Sequence, residues 1–215
     1  MTFNYTFESH WIKSPGYLRC KVPECVKEEL EKTISDVQNN LIQVDDFREK
    51  LAGHLEKETS LPITPNIKYL VESMSCEYDN IFRSGKHAMH ETFGEDMFNM
   101  GIKYELTTLW INYAKKYDFN PIHHHSGVYS FVIWVKIPYD LEKELKKYNP
   151  TRNITTSFNF ISNSSLGEII SEKIDVIEWD MIFFPAKLEH CVYPFYTSDD
   201  YRISISGNIF ANLKE

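Results

Sequence analysis

Residues 120–127 read Asn120-Pro121-Ile122-His123-His124-His125-Ser126-Gly127, and residues 128–138 continue as VYSFVIWVKIP. The continuation is apolar at nearly every position from Val128 to Ile137 and rich in β-branched and aromatic side chains. That texture predicts a strand inside a sheet with both faces covered. In the extended chain leading into it, His123 and His125 project to one side and His124 to the other. Two imidazoles about 7 Å apart, twice the rise per residue, can converge on one metal ion. His190, within FPAKLEHCVYPF, supplies a third imidazole from a later strand.

Outward from this stretch the same texture recurs in short runs: YELTTLWINY from residue 104, TTSFNFIS from 155, DVIEW from 175, MIFFP from 181, HCVYPF from 190 and YRISISGNIF from 201. Breaks such as Asn163-Ser164-Ser165 and Ser198-Asp199-Asp200 separate some of them. Residues 104–215 are therefore an antiparallel β region. Upstream the period changes. Val26, Leu30, Ile34, Val37, Leu41, Val44, Phe47, Leu51 and Leu55 fall in steps of three and four, which describes one face of a helix over 25–55 entered at Pro23 and Glu24. A second such face runs through Ile67, Leu70, Val71, Met74, Tyr78, Ile81 and Phe82 after the proline-punctuated Leu61–Pro65. The expected fold is mainly β within a single domain, residues 1–103 giving mainly helical support to a β core over 104–215.

The 215 residues suffice for one sizeable core. A net charge of −8 gives no footprint for nucleic acid or an anionic membrane surface. The opening MTFNYTFESHW lacks the basic and apolar regions of a leader, and no run approaches the ~18 apolar residues of a membrane span, so a cytoplasmic location is expected. Cys20, Cys25, Cys76 and Cys191 form no Cys-x-x-Cys pair and read as free thiols. His10, His54, His87 and His90 read as structural.

The final strand alternates: Ile203, Ile205 and Ile209 point one way, and Arg202, Ser204, Ser206 and Asn208 the other. The polar row faces either solvent or, in a barrel that holds a charged ligand, the interior. A guanidinium fork with a hydroxyl beside it suits a carboxylate ligand, whereas a structural ion pair to Asp or Glu would serve Arg202 equally well. Imidazole suits Fe, Zn, Cu and Ni alike, so the histidines alone do not choose the metal.

The ordered set of His-x-His, a distal His after MIFFP and Arg-x-Ser twelve residues later resembles the 2-oxoglutarate/Fe(II)-dependent oxygenases. More closely, WINYAKKYDFNPIHHHSGVYSFVIWVKIP with WDMIFFPAKLEHCVYPFYTSDDYRISISGNIF resembles a small bacterial and phage-type branch of that superfamily, over roughly residues 105–212. The resemblance implies a double-stranded β-helix, the jelly-roll barrel also seen in cupins. It implies Fe(II), 2-oxoglutarate and O2, with ascorbate as a supporting reductant, and hydroxylation of an unactivated C–H bond with release of succinate and CO2.

It makes His123, His125 and His190 the metal ligands, with His125 where most relatives carry Asp or Glu. Arg202 and Ser204 become the partners of the 2-oxoglutarate C5 carboxylate, and Trp110, Asn112 and Asn208 contacts to co-substrate or substrate. The site is then one charge more positive than a 2-His-1-carboxylate set. Two rival readings stand beside it: a cupin-type metal enzyme that uses no 2-oxoglutarate, and a non-enzymatic binding barrel with a structural metal. The substrate is a peptide side chain or a small metabolite on family grounds only; the segments YNPTRNITTS and KYDF are candidates for the pocket mouth.

Overall fold

The computed structural model describes residues 6–10, 16–82, 101–147, 156–164 and 166–213. His87, His90 and most of the segment YNPTRNITTS lie outside the described residues. In chain order the elements are β1 (Phe7–His10), β2 (Tyr17–Lys21), α1 (Glu24–Gln38), β3 (Lys57–Ser60), α2 (Pro65–Phe82), β4 (Ile102–Ala114), β5 (Asn120–His123), β6 (Tyr129–Lys136), α3 (Leu141–Lys147), β7 (Phe158–Asn163), β8 (Ile169–Ile174), β9 (Asp180–Pro185), β10 (His190–Val192) and β11 (Arg202–Leu213). A seven-stranded sheet, ordered β1-β2-β9-β6-β11-β4-β3, and a four-stranded sheet, ordered β5-β10-β7-β8, are antiparallel throughout. Packed face to face, they form the double-stranded β-helix.

The unbroken apolar run of β6 follows from its place between β9 and β11, with both faces covered. Phe131 and Ile133 join the core beneath the helices, where Leu30, Ile67, Leu70, Met74 and Tyr78 are fully buried. Val132 and Trp134, on alternate positions, join Phe158, Phe160, Ile182 and Phe184 between the sheets. Helix α2 starts at Pro65, whose missing N–H costs a first turn nothing. Glu29 of α1 accepts hydrogen bonds from Thr64 Oγ1 (2.7 Å) and the Asn66 amide (3.0 Å), which ties the two helices together.

Several sequence expectations need correction. The helix expected over 25–55 stops at Gln38, because Asn40 takes a left-handed conformation (φ 58°) and the Leu41 amide turns back to the Asp36 carbonyl. The later apolar positions serve other purposes: Leu41 is exposed, Val44 packs on the core, and Leu51 and Leu55 lie at the cleft described below. The N-terminal half is also less helical than expected, since β1, β2 and β3 join the large sheet.

DVIEW is not a strand. Trp179 sits at φ 60° in a turn that precedes β9, and the strand before it is Ile169–Ile174, an edge whose Ser171, Glu172 and Lys173 hide its alternation.

Candidate active site

The His-x-His motif straddles a corner rather than lying along one strand. His123 ends β5 and pairs across the small sheet with His190, the first residue of β10. The chain then leaves that sheet: the His125 amide donates to the Ala186 carbonyl just beyond β9 (2.8 Å), and β6 enters the large sheet. Gly127 makes the corner possible. Its φ is +87°, and a Cβ there would overlap the Ile209 carbonyl oxygen, to which Val128 N–H donates. His123 and His125 thus converge as expected, with His124 exposed.

One ligating nitrogen from each of His123, His125 and His190 lies within 4.8 Å of the other two. His125 Nε2 and His190 Nε2 are 3.1 Å apart. Imidazole nitrogens bind a divalent ion at about 2.0–2.1 Å, so two ligands at right angles stand about 3 Å apart. The donor set therefore fits a metal ion.

The tautomers fit as well. His123 Nδ1 lies 2.8 Å from the Pro121 carbonyl and His190 Nδ1 2.9 Å from the Leu188 carbonyl. A carbonyl only accepts, so each Nδ1 carries the proton and each Nε2 keeps a lone pair for a metal.

Burial keeps all three rings neutral, as ligands must be. Desolvation, then the neighbouring imidazoles, takes His125 down to about 3 and His190 well below the usual range; desolvation also lowers His123. Phe158 stacks on His190 and Phe184 meets it edge-on, while Trp110 packs against His125. These aromatic walls hold the rings in place and exclude water.

The histidines open onto a cleft of about 230 Å³ between the sheets. Every residue singled out for the site from the sequence lines it: Trp110 and Asn112 from β4, and Arg202, Ser204 and Asn208 from β11, besides the histidines. The polar row of the last strand therefore faces the interior, and Ile203, Ile205 and Ile209 face the helix-side core. Ser204 and Asn112 are register partners, with Asn112 Nδ2 donating to Ser204 Oγ (3.3 Å). KYDF does not line the cleft; Phe119 stacks instead on His54 (centroids 4.9 Å, 11°).

Arg202 is 4% exposed. Its guanidinium donates to the Tyr193 carbonyl (3.2 Å), lies over the Phe195 ring and forms no ion pair with an acidic group among the described residues. Among the described residues, no Asp or Glu supplies the structural ion pair left open by the sequence. The loop carrying Tyr193 and Phe195 is anchored by Glu144 of α3, a fully buried carboxylate that accepts from the amides of Tyr196 (3.0 Å) and Thr197 (2.6 Å) and from the Thr197 hydroxyl. Glu144 and Glu58 of β3, which also lines the cleft, were not legible in the sequence. Each is a single acid in a short element with no motif around it.

The model of the family described as "Putative 2OG-Fe(II) oxygenase" matches residues 108–208. No curated protein sequence matches the chain. Among solved structures, a Pseudomonas putida prolyl-4-hydroxylase is similar at 10% identity (TM-score 0.45; 96% of this chain and 91% of that one). The viral collagen prolyl hydroxylase of Paramecium Bursaria Chlorella virus-1 is similar at 12% identity (TM-score 0.46; 90% and 94%). A Trichoplax adhaerens prolyl hydroxylase, solved with a hypoxia inducible factor peptide, is similar at 11% identity (TM-score 0.49; 92% and 84%). Fe(II), 2-oxoglutarate and O2 are the cofactor and co-substrates that the matched family implies. Residues 108–208, which carry the three histidines and Arg202, are thus similar to the 2-oxoglutarate/Fe(II)-dependent oxygenases.

Proposed function

We propose that this protein is a 2-oxoglutarate- and Fe(II)-dependent dioxygenase that hydroxylates an unactivated C–H bond of its substrate. The observation that carries this reading is a buried guanidinium without an acidic partner among the described residues, in the same cleft as three neutral, converging imidazoles. Taking a cation out of water without a counter-ion is costly, and a carboxylate ligand offsets that cost.

The histidines would hold the iron through His123, His125 and His190, with Nε2 as the ligating atom of His123 and His190. Iron bound there would supply, with 2-oxoglutarate and O2, the oxidising power for conversion of the co-substrate to succinate and CO2 and for placing one oxygen atom on the substrate.

The chain's own residues do the rest. Arg202 grips the C5 carboxylate of 2-oxoglutarate, with Ser204 offering a hydroxyl beside it. Tyr193 and Phe195, fixed through Glu144, hold the guanidinium in its direction. Trp110, Asn112 and Asn208 form the wall against which co-substrate and substrate lie. The apolar shell of Phe158, Phe160 and Phe184 keeps water from the metal side of the cleft.

Protein reconstituted anaerobically with Fe(II), then given 2-oxoglutarate, ascorbate and air, should release succinate, and His190→Ala protein should not. Tightly held zinc with no succinate from any metal form would instead support a structural metal in a binding barrel.

A further inference from the structure

The cleft wall contains a buried carboxyl group whose ionised form the proposed co-substrate cannot satisfy. Register places Glu58, Asn112, Ser204 and Trp134 side by side on β3, β4, β11 and β6, and all four line the cleft. Glu58 is 1% exposed, and neither carboxylate oxygen has a hydrogen-bond partner among the described residues. The Oδ1 atoms of Asn112 and Asn208, on the same wall, also lack a donor. The unmet needs on this side are thus for donors. 2-Oxoglutarate, a dianion with one ketone, offers acceptors alone, so it answers Arg202 and the serine hydroxyls and gives the ionised form of Glu58 no donor. A buried carboxylate with no donor costs free energy that a second, donor-bearing ligand removes.

We propose that Glu58 anchors the ammonium or guanidinium group of the primary substrate, so that the substrate is a basic amine: a free one, or the side chain of a lysine or arginine in a peptide. This rests on the oxygenase reading above and names the substrate class of that same cleft. The segment just before β3 lies over the anchor. Leu51, Ala52 and Leu55 line the cleft, and Gly53 packs so closely that a Cβ there would meet Glu58 Oε1 at 2.9 Å and Asn120 Nδ2 at 2.8 Å. A donor reaches Glu58 by displacing this strap.

The charges acting on Glu58 are those of Asp46, Arg48 and Asp118, and Arg48 is committed to a bidentate pair with Asp46. Two cations, Lys50 and Arg202, line the cleft with Glu58; Lys50 lies over the Phe47 ring and Arg202 over Phe195, and neither hydrogen-bonds to Glu58, while the net charge of −8 draws further cations to the molecule.

The test uses protein loaded with Mn(II) and 2-oxoglutarate, titrated calorimetrically with L-lysine, L-arginine, 1,4-diaminobutane and the capped peptides acetyl-Gly-Lys-Gly-amide and acetyl-Gly-Arg-Gly-amide. L-Norleucine and acetyl-Gly-norleucine-Gly-amide serve as neutral isosteres. At least one basic probe should bind ten-fold or more tightly than its isostere, and the free or peptide form that binds identifies the source of the group. Glu58→Gln should lower that affinity ten-fold or more while the Kd for 2-oxoglutarate moves less than two-fold.

Equal binding of basic and neutral probes to the wild-type protein, no binding of any basic probe, or an unchanged affinity in Glu58→Gln overturns the proposal. The wild-type comparison stands even where the variant does not fold. Failure of 2-oxoglutarate itself to bind the Mn(II)-loaded protein overturns the oxygenase reading and this inference with it.

Discussion

Replacing Arg202 with methionine should move affinity and stability in opposite directions. The guanidinium is 4% exposed, donates to one carbonyl and has no acidic partner among the described residues. If it grips the C5 carboxylate, its removal takes away one side of a buried charge pair, at about 2–5 kcal/mol. That corresponds to a rise in the Kd for 2-oxoglutarate of roughly 30-fold to several thousand-fold.

Without ligand the sign reverses. Methionine fills similar space and carries no charge to desolvate, so the metal-loaded variant should be as stable as the wild type or more so by about 1 kcal/mol. The assay is denaturant unfolding of both proteins with and without 2-oxoglutarate. At a hundred-fold excess over the wild-type Kd the wild type should gain about 2.7 kcal/mol, and at that concentration the variant should gain no more than about 0.9 kcal/mol. A variant much less stable without ligand, yet stabilised by 2-oxoglutarate as strongly as the wild type, would show that Arg202 serves the fold and not the co-substrate.

Glu58 should leave a signature in the pH dependence of stability. Burial, then Asp46, pushes its carboxyl up to about 7 from 4.5. Between those values the folded protein holds a proton that the unfolded chain has lost, so this contribution is fully present below pH 4.5 and is lost as pH rises through 7. At 1.36 kcal/mol per pH unit it amounts to about 3 kcal/mol. Urea titrations from pH 5 to 8 should show this decline in the wild type and not in Glu58→Gln; identical slopes would contradict it. Gly127→Ala should cost at least about 1–3 kcal/mol, because the residue is at positive φ and a Cβ meets backbone, and a change within 0.5 kcal/mol in the same titration would count against the corner described here. Metal analysis of His190→Ala should find less than half of the wild-type occupancy; equal occupancy would remove His190 from the ligand set.

The parts of the fold set by periodicity were legible in the sequence. β6 and β11 declare themselves because one is buried on both faces and the other divides an isoleucine row from a polar row. Helix α2 does so through its seven apolar positions and Pro65. The helix expected over 25–55 failed because apolar steps of three and four continue past Asn40, where a single left-handed residue turns the chain away; a local φ outweighed a periodic pattern. DVIEW failed for the same reason at Trp179.

At the site, the histidines were legible as alternation along a strand. The structure reaches the same convergence through a corner, because His123 belongs to one sheet and His125 bonds to the other. Arg202 was ambiguous between an ion pair and a ligand until the surroundings of its guanidinium were visible. Glu58 left no trace, since its significance lies in burial and in register with Asn112, and both are tertiary facts.

The most direct test of the central claim is an anaerobic titration of Fe(II)-loaded protein with 2-oxoglutarate, followed by visible absorption. Chelation of the co-substrate at an iron held by His123, His125 and His190 predicts a metal-to-ligand charge-transfer band that saturates at one equivalent and is lost in His190→Ala. In Arg202→Met the same band should appear only at much higher 2-oxoglutarate concentration. Iron bound at one equivalent with no band at any 2-oxoglutarate concentration would contradict the account.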